Sequence, residues 1–283
     1  MPLSRLAPAK INLGLHVLRT RSDGYHDVET VYHRVGWEDT VSVEAADGLS
    51  MTCSDPDLPT GEDNLCLQAA RRLASAFDVH RGAAIHLEKT LPVGAGLGGG
   101  SSDAAATLRL LADLWGIEAE DDTLMDLAAQ IGSDVPFFLW DDPAAYATGR
   151  GEKLEPIRDA DGAPFRLDAT IVLVVPPVGM ATPEAYAMVT PDDVSRADLK
   201  PLVASGDLGR WRSELVNDFT EPIAERYPSV DAARDLLHEH GADYVSLSGS
   251  GSTVYGLFTS DRQADAARQT ADREGYRTWL GTA

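Results

Sequence analysis

The segment Pro92-Val93-Gly94-Ala95-Gly96-Leu97-Gly98-Gly99-Gly100-Ser101-Ser102-Asp103 puts five glycines ahead of two hydroxyls and a carboxylate. Glycines without Cβ atoms let the backbone take φ > 0 and come close to a ligand. An Ala/Leu-rich run to about Trp115 follows and reads as a helix. Its first N–H groups and positive dipole end face back into the loop, a site suited to phosphate. A flexible connector is the plain alternative, but the loop lies between an alternating strand, Ala83–Leu91, and a strong helix, where a disordered linker is unusual.

Spacing separates this loop from the commoner nucleotide motifs. Gly94, Gly96 and Gly99 satisfy G-x-G-x-x-G after a strand, yet a dinucleotide unit needs a second parallel strand after the helix, with an acidic residue about 20 positions on. Here a second helix, Asp121–Ile131, follows the first. A Walker loop needs Gly-Lys-Ser/Thr, and Gly100 is followed directly by Ser101. Protein-kinase partners such as H-R-D and D-F-G are missing. An ATP site of another lineage remains.

Other residues carry chemistry less distinctively. Lys10 and Asn12 are two apart on a strand and project to one face, although a strand-end lysine and a polar edge residue are equally ordinary. Tyr25 and His26 follow a Ser22-Asp-Gly turn and offer a π-face and a ring nitrogen, or pack on the next strand. Asp134, two residues before Pro136, reads as a helix cap. Asn64 caps a helix through about Phe77. Gly249-Ser-Gly-Ser252 reads as a hairpin between two strands. His16, His33, Trp115 and Trp140 read as packing.

These residues need elements to hold them. The first 60 residues read as strands: Ile11, Leu13, Leu15 and Val17 alternate, Val28–Val35 is β-branched and aromatic, and Thr40-Val-Ser-Val-Glu follows. Asp, Ala, Gly and Pro gather around Asp159–Pro164 and mark a boundary, giving domains 1–160 and 161–283. Beyond it come a strand Thr170–Val175, helices near Leu208–Asn217 and Ser229–His240, strands around Tyr244–Leu247 and Thr253–Phe258, a helix Arg262–Glu274 and a strand Tyr276–Leu280. That β-αα-β-β-α-β order predicts an α+β, ferredoxin-like second domain with a split βαβ.

Composition bounds the rest. At 283 residues, the chain is long enough for one large domain or two ordinary ones. No run approaches the ~20 consecutive apolar residues of a membrane span, and the opening residues lack the features of a leader, so cytoplasmic residence is expected. Cys53 and Cys66 form no metal pattern and read as reduced thiols. No metal-ligand set can be assigned from spacing. With 24 Lys+Arg against 45 Asp+Glu, the formal charge of -21 opposes any broad grip on nucleic acid or anionic lipid. Such self-repulsion is best tolerated where salt screens it, so a high-salt cytoplasm is expected.

Pro8-Ala-Lys-Ile-Asn-Leu-Gly-Leu, Leu91-Pro-Val-Gly-Ala-Gly-Leu-Gly-Gly-Gly-Ser-Ser and Leu247-Ser-Gly-Ser-Gly-Ser resemble, in order, the three motifs of the GHMP small-molecule kinases. Arg21-Ser-Asp-Gly-Tyr-His, Gly132-Ser-Asp-Val-Pro-Phe-Phe and Leu215-Val-Asn-Asp-Phe narrow the resemblance to one branch. That branch phosphorylates the 2-hydroxyl of a cytidine diphosphate ester of methylerythritol in the non-mevalonate route to isoprenoid precursors. The resemblance implies a two-domain GHMP kinase fold, with an N-terminal mixed β/α domain like domain 2 of ribosomal protein S5 and a ferredoxin-like C-terminal domain. It implies ATP with Mg2+, a small-molecule alcohol as partner, and a monomer or homodimer. By resemblance, Asp134 is the catalytic aspartate and Lys10 its paired lysine. Pro92–Ser102, Lys89 and Asn64 contact nucleotide, and Asn12, Tyr25, His26, Thr182 and Tyr186 contact the alcohol substrate. Asp103 stands where some relatives carry Asn, and an ionised carboxylate accepts hydrogen bonds but cannot donate them. Homoserine, mevalonate or a sugar as the alcohol, or a nucleotide-binding regulator without catalysis, are the rival readings.

Overall fold

The computed structural model describes residues 2–193 and 196–282. The chain divides into two compact units interleaved in sequence. The first holds residues up to Ala9, Trp37–Leu91 and Gly98–Asp141; the second holds Lys10–Gly36, Pro92–Leu97 and the chain from Asp142 onward. Two long strands, β1 (Leu3–Thr20) and β2 (His26–Ala46), contribute residues to both.

In the first unit, the later part of β2 pairs antiparallel with β4 (Gly82–Glu88), from Thr40 opposite Glu88 to Ala46 opposite Gly82. A short strand, β3 (Leu49–Cys53), lies parallel to β4 on its other side. Between β3 and β4 runs α1 (Leu65–Ala76), capped by Asn64, whose Oδ1 accepts the N–H of Cys66 at 2.9 Å. After the glycine loop come α2 (Gly99–Trp115), α3 (Asp121–Ile131) and the single turn α4 (Val135–Leu139). Their apolar stripes close one core on the sheet, with Leu73, Ile85, Leu87, Leu108 and Leu111 at its centre.

The second unit pairs the early part of β2 with β5 (Ala144–Thr148), and β5 with β6 (Lys153–Pro156). Its larger layer is a four-stranded antiparallel sheet in the order β10-β7-β9-β8, built from β7 (Thr170–Val175), β8 (Tyr244–Leu247), β9 (Val254–Phe258) and β10 (Arg277–Gly281). Inserting β9 between β7 and β8 makes the expected split βαβ. Four short helices, α5 (Thr182–Tyr186), α6 (Leu199–Ala204), α7 (Leu208–Glu214) and α8 (Thr220–Arg226), precede α9 (Pro228–Glu239), and α10 (Asp261–Arg273) follows β9. Helix α9 packs on β8 and β9, and α10 on β7, β9 and β10. Among the described residues no helix is long and apolar enough to cross a membrane.

One departure from the sequence reading matters for the site. Val28–Val35 and Thr40–Glu44 are parts of one strand, because Asp39 between them does not turn the chain. Its carboxylate is instead buried against the N–H groups of Thr90 and Leu91 and the ammonium of Lys89.

Candidate active site

Within the second unit, the three resembling motifs converge on one buried lysine. Lys10 and Asn12 share a face of β1, and Lys10, 3% exposed, donates from Nζ to Asn12 Oδ1 at 2.7 Å. Nζ also donates to the carbonyl of Gly96 at 3.0 Å and sits 5.5 Å over the ring of Tyr32. Asn12 is held in turn: its Nδ2 donates to Thr30 Oγ1 at 2.9 Å, and Thr30 donates to the carbonyl of Gly14 at 2.6 Å. With both amide groups engaged, the Asn12 orientation is fixed, and with it the acceptor that Lys10 meets.

The first half of the glycine loop is tied to the same strand. Lys10 N–H donates to the carbonyl of Leu97 at 2.9 Å, and Thr253 N–H to that of Ala95 at 3.2 Å. Gly96 has φ +79, and a Cβ there would stand 2.1 Å from the carbonyl oxygen of Ser248, so only glycine fits. Pro92 starts this stretch, Val93 is exposed, and Ala95 and Leu97 are buried. The β8–β9 loop, Ser248–Thr253, is more than a hairpin. Asn217 donates both amide hydrogens to it, to the carbonyls of Leu247 at 2.8 Å and Gly249 at 2.9 Å, and accepts the N–H of Phe219. Gly249 thereby lies against the Lys10 ammonium: a Cβ there would be 3.3 Å from Nζ.

The aromatic residues of this unit lie on the next turn and on α5. The turn closes with Arg21 N–H donating to the carbonyl of Tyr25 at 2.8 Å. Hydrogen bonds from Arg21 hold the carboxyls of Asp23 and Asp27 below the usual carboxylate range. Tyr25 is 53% exposed, with the guanidinium of Arg150 4.9 Å from its ring centre. His26 stacks on Tyr186 at 4.7 Å, and Tyr186 meets the edge of Phe219. Thr182 is exposed at the start of α5. His33 does pack, fully buried: its Nε2 accepts the N–H of Leu167 and its Nδ1 donates to the carbonyl of Arg34, and burial pulls it down to about 4.

In the first unit, Gly98 starts α2 from the left-handed region at φ +70 without any side-chain cap. The first N–H groups of α2 have no partner within the helix, and Gly99, Gly100 and Ser101 carry them. Ser102, 1% exposed, has a hydroxyl without a hydrogen-bond partner among the described residues. Beneath this turn, Lys89 donates to Asp103 at 3.0 Å and to Asp39. Burial, opposed by Lys89 and assisted by Asp39, pushes the Asp103 carboxyl up to about 7. Burial works to lower Lys89, but Asp103 and Asp39 together raise it. Asn64 is engaged as a helix cap, its Nδ2 donating to the carbonyl of Pro59. Asp134 stands at the cap position of α4 but makes no side-chain cap bond.

Thr30, Asn217, Ser248 and Asp39 also hold these residues in place. Asn217 and Ser248 lie inside the motifs Leu215–Phe219 and Leu247–Ser252, which is a usable signal in the sequence. Thr30 and Asp39 had none, because a threonine in a strand and an acid between two strands are commonplace.

Known proteins agree with this architecture. The GHMP kinases N terminal domain matches residues 64–142, and GHMP kinases C terminal matches residues 199–277. The sheet order and these two matches make this a GHMP kinase. A 4-diphosphocytidyl-2-C-methyl-D-erythritol kinase of Salinibacter ruber (strain DSM 13855 / M31) is 59% identical over 280 residues, covering 99% of this chain and 98% of that one. Its counterpart in Chlorobium chlorochromatii (strain CaD3) is 42% identical over 95% of this chain and 93% of that one. A crystal structure of 4-(cytidine 5'-diphospho)-2C-methyl-D-erythritol kinase superposes with TM-score 0.81 at 35% identity, covering 99% and 98% of the two chains. The chain belongs to the family of 4-diphosphocytidyl-2-C-methyl-D-erythritol kinases. A mevalonate kinase structure, 14% identical with TM-score 0.76 over 98% of each chain, shares the fold alone.

Proposed function

We propose that the protein transfers the γ-phosphoryl group of ATP to the 2-hydroxyl of 4-diphosphocytidyl-2-C-methyl-D-erythritol, a step toward isoprenoid precursors. Phosphoryl transfer to an alcohol needs the phosphate charge held and a place for the hydroxyl proton. Pro92–Ser102 supplies backbone N–H groups for the phosphates. Asp134 accepts the proton, and Lys10 stabilises the charge that develops on oxygen. Asn12 fixes Lys10 and faces the same substrate. Tyr25, His26 and Tyr186 take the pyrimidine, with Thr182 beside them. Asn64 and Lys89 complete the nucleotide side, Asn64 as the cap of α1 and Lys89 from beneath α2. The partition 1–160 and 161–283 fits one matched domain in each part.

The observation that carries the substrate reading is the stacked His26–Tyr186 pair beside an exposed Tyr25. Mevalonate, homoserine and sugars have no base for such a surface to receive. Buried, hydrogen-bonded Lys10 speaks against a regulator that has lost catalysis. Mg2+ accompanies ATP and neutralises phosphate charge when bound. No cluster of three or more His, Cys, Asp or Glu side chains able to hold a metal ion occurs among the described residues; the unpartnered Ser102 hydroxyl and Asp103 Oδ1 at the start of α2 are the kind of protein oxygen that fits it beside phosphate and water. We place the protein in the cytoplasm, as a monomer or homodimer. The charge of -21 suits a high-salt interior; melting temperature should rise along a KCl series, and greatest stability at low salt counts against that setting.

The direct test measures ADP release with Mg-ATP, offering the cytidine diphosphate ester beside mevalonate, homoserine and galactose, in low and molar KCl. Turnover confined to the ester is expected. Turnover confined to another alcohol discards the base-recognition argument, and ATP binding without turnover on any alcohol returns the regulator.

A further inference from the structure

Three ionisable side chains are buried together in the first unit, where the glycine loop leaves it and returns. Asp39 is 0% exposed at its side chain, Asp103 3% and Lys89 4%. Lys89 bridges the two carboxylates. Asp39 makes two further bonds: its Oδ1 accepts the N–H of Thr90 at 2.5 Å and of Leu91 at 2.7 Å, the last residues before Pro92. Asp103 stands on α2, within two turns of the other end of the loop. Gly99 lets the ammonium pass under the first turn of α2, since a Cβ there would lie 3.1 Å from Nζ.

A buried ion cluster is weak evidence for stability, because apolar side chains of similar volume often serve as well. What such a cluster supplies is direction. Each side-chain bond described in this one ends on a flank of the loop.

We propose that Asp39 is a positioning residue for the phosphoryl donor, holding Thr90 and Leu91 at the entry of the glycine loop and, through Lys89, Asp103 beyond its exit. Lys89 is then a strut whose ammonium is spent on two carboxylates, and the phosphates are met by the backbone that the strut holds in place. The inference rests on the reading of the loop as the ATP phosphate site.

The variants are Asp39→Asn, Lys89→Met and Lys89→Arg in the full chain. The readouts are ADP affinity by calorimetry with Mg2+, KM for ATP and for the alcohol, and cooperative melting. Asn keeps the size but loses the charge and one acceptor, so ADP affinity should fall roughly tenfold or more, the scale of a lost charged hydrogen bond. KM for ATP should rise in parallel while KM for the alcohol stays within about twofold, because an entry and exit clamp acts on one substrate only. Lys89→Arg should recover most of what Lys89→Met loses. A folded Asp39→Asn that binds ADP within about twofold of the native chain overturns the proposal, as does an equal rise of both KM values. Should Asp39→Asn fail to fold, the lysine pair decides, and Lys89→Met binding ADP as the native chain does overturns it. A native chain that binds no ADP removes the phosphate reading itself, an outcome distinct from failure of the clamp.

Discussion

The hydroxyl of Ser248 donates to the carbonyl of Gly96 at 2.9 Å across 152 residues of sequence. The same oxygen accepts the Lys10 ammonium at 3.0 Å. One carbonyl thus joins the strand motif, the glycine loop and the glycine-serine loop. Its orientation is set by two donors from opposite ends of the chain, so the three motifs meet at one oxygen although none is near another in sequence.

That relationship ranks two glycines that look equivalent in the sequence. Gly94 and Gly96 both have positive φ, +65 and +79. A methyl at Gly94 meets nothing nearer than the Met180 carbonyl at 3.9 Å, whereas at Gly96 it meets two backbone carbonyls, at 2.1 and 2.9 Å. Gly94→Ala should cost about 1–2 kcal/mol, the left-handed penalty alone. Gly96→Ala should cost about 3 kcal/mol or more, because backbone must also move. Urea melts of both variants check the order, and equal costs would refute the packing argument.

Lys10 and Asp134 carry the proposed chemistry. Lys10→Ala leaves Asn12 Oδ1 without the 2.7 Å donor it has now, so about 1–3 kcal/mol of stability should be lost along with at least ~100-fold in kcat. Asp134→Asn makes no change in helix capping, since the native side chain makes no cap bond. Asn matches Asp in size, so the variant should fold, and it should lose roughly 100–10,000-fold in kcat. Retained turnover in either variant removes its assigned role.

The proposed base recognition predicts a split between the two substrates. Tyr25→Ala and His26→Ala should each raise KM for the cytidine ester roughly tenfold, the scale of one stacking contact, and leave KM for ATP unchanged. Exposed Tyr25 contributes little to folding, so its melting temperature should hold. His26 is stacked at 4.7 Å on Tyr186, and a drop of about 1 kcal/mol is expected there. A rise in KM for ATP instead would move these rings off the pyrimidine.

Much of the architecture could be read in advance because periodicity is strong where one face is buried. Helix α3 begins and ends where its pattern does, and α1 starts at the Asn64 cap. The order of β7 to β10 follows from alternating strands and amphipathic helices. Strands β3, β5 and β6, of four or five residues, and the helices α5, α6 and α8, of five to seven, were hidden because so few residues carry too little pattern to stand out. At the site, Lys10 and Asn12 were legible as one face of a strand. Asp39 was not, because its meaning lies in the N–H groups of Thr90 and Leu91, some fifty residues away, and spacing cannot show such a partner.

Two buried groups give stability opposite slopes with pH. The folded pKa of His33, about 4, lies below its ordinary 6.5. Its contribution is therefore present above pH 6.5 and lost as pH falls toward 4. The folded pKa of Asp103, about 7, lies above its ordinary 3.8. Its contribution is present below pH 3.8 and lost as pH rises through 7. Between pH 5 and 6 the two oppose each other. Asp103→Asn removes one of them, so its stability relative to the native chain should improve by about 1 kcal/mol as pH rises from 5 to 6, one unit of linkage for one proton. His33→Asn should show the reverse sign over the same interval, whatever its absolute cost. Paired urea melts at the two pH values read each difference, His33 by itself and Asp103 together with the Lys89 and Asp39 charges it meets. A relative stability of Asp103→Asn that does not change between them would mean that Asp103 titrates in the ordinary carboxylate range, fully ionised against Lys89.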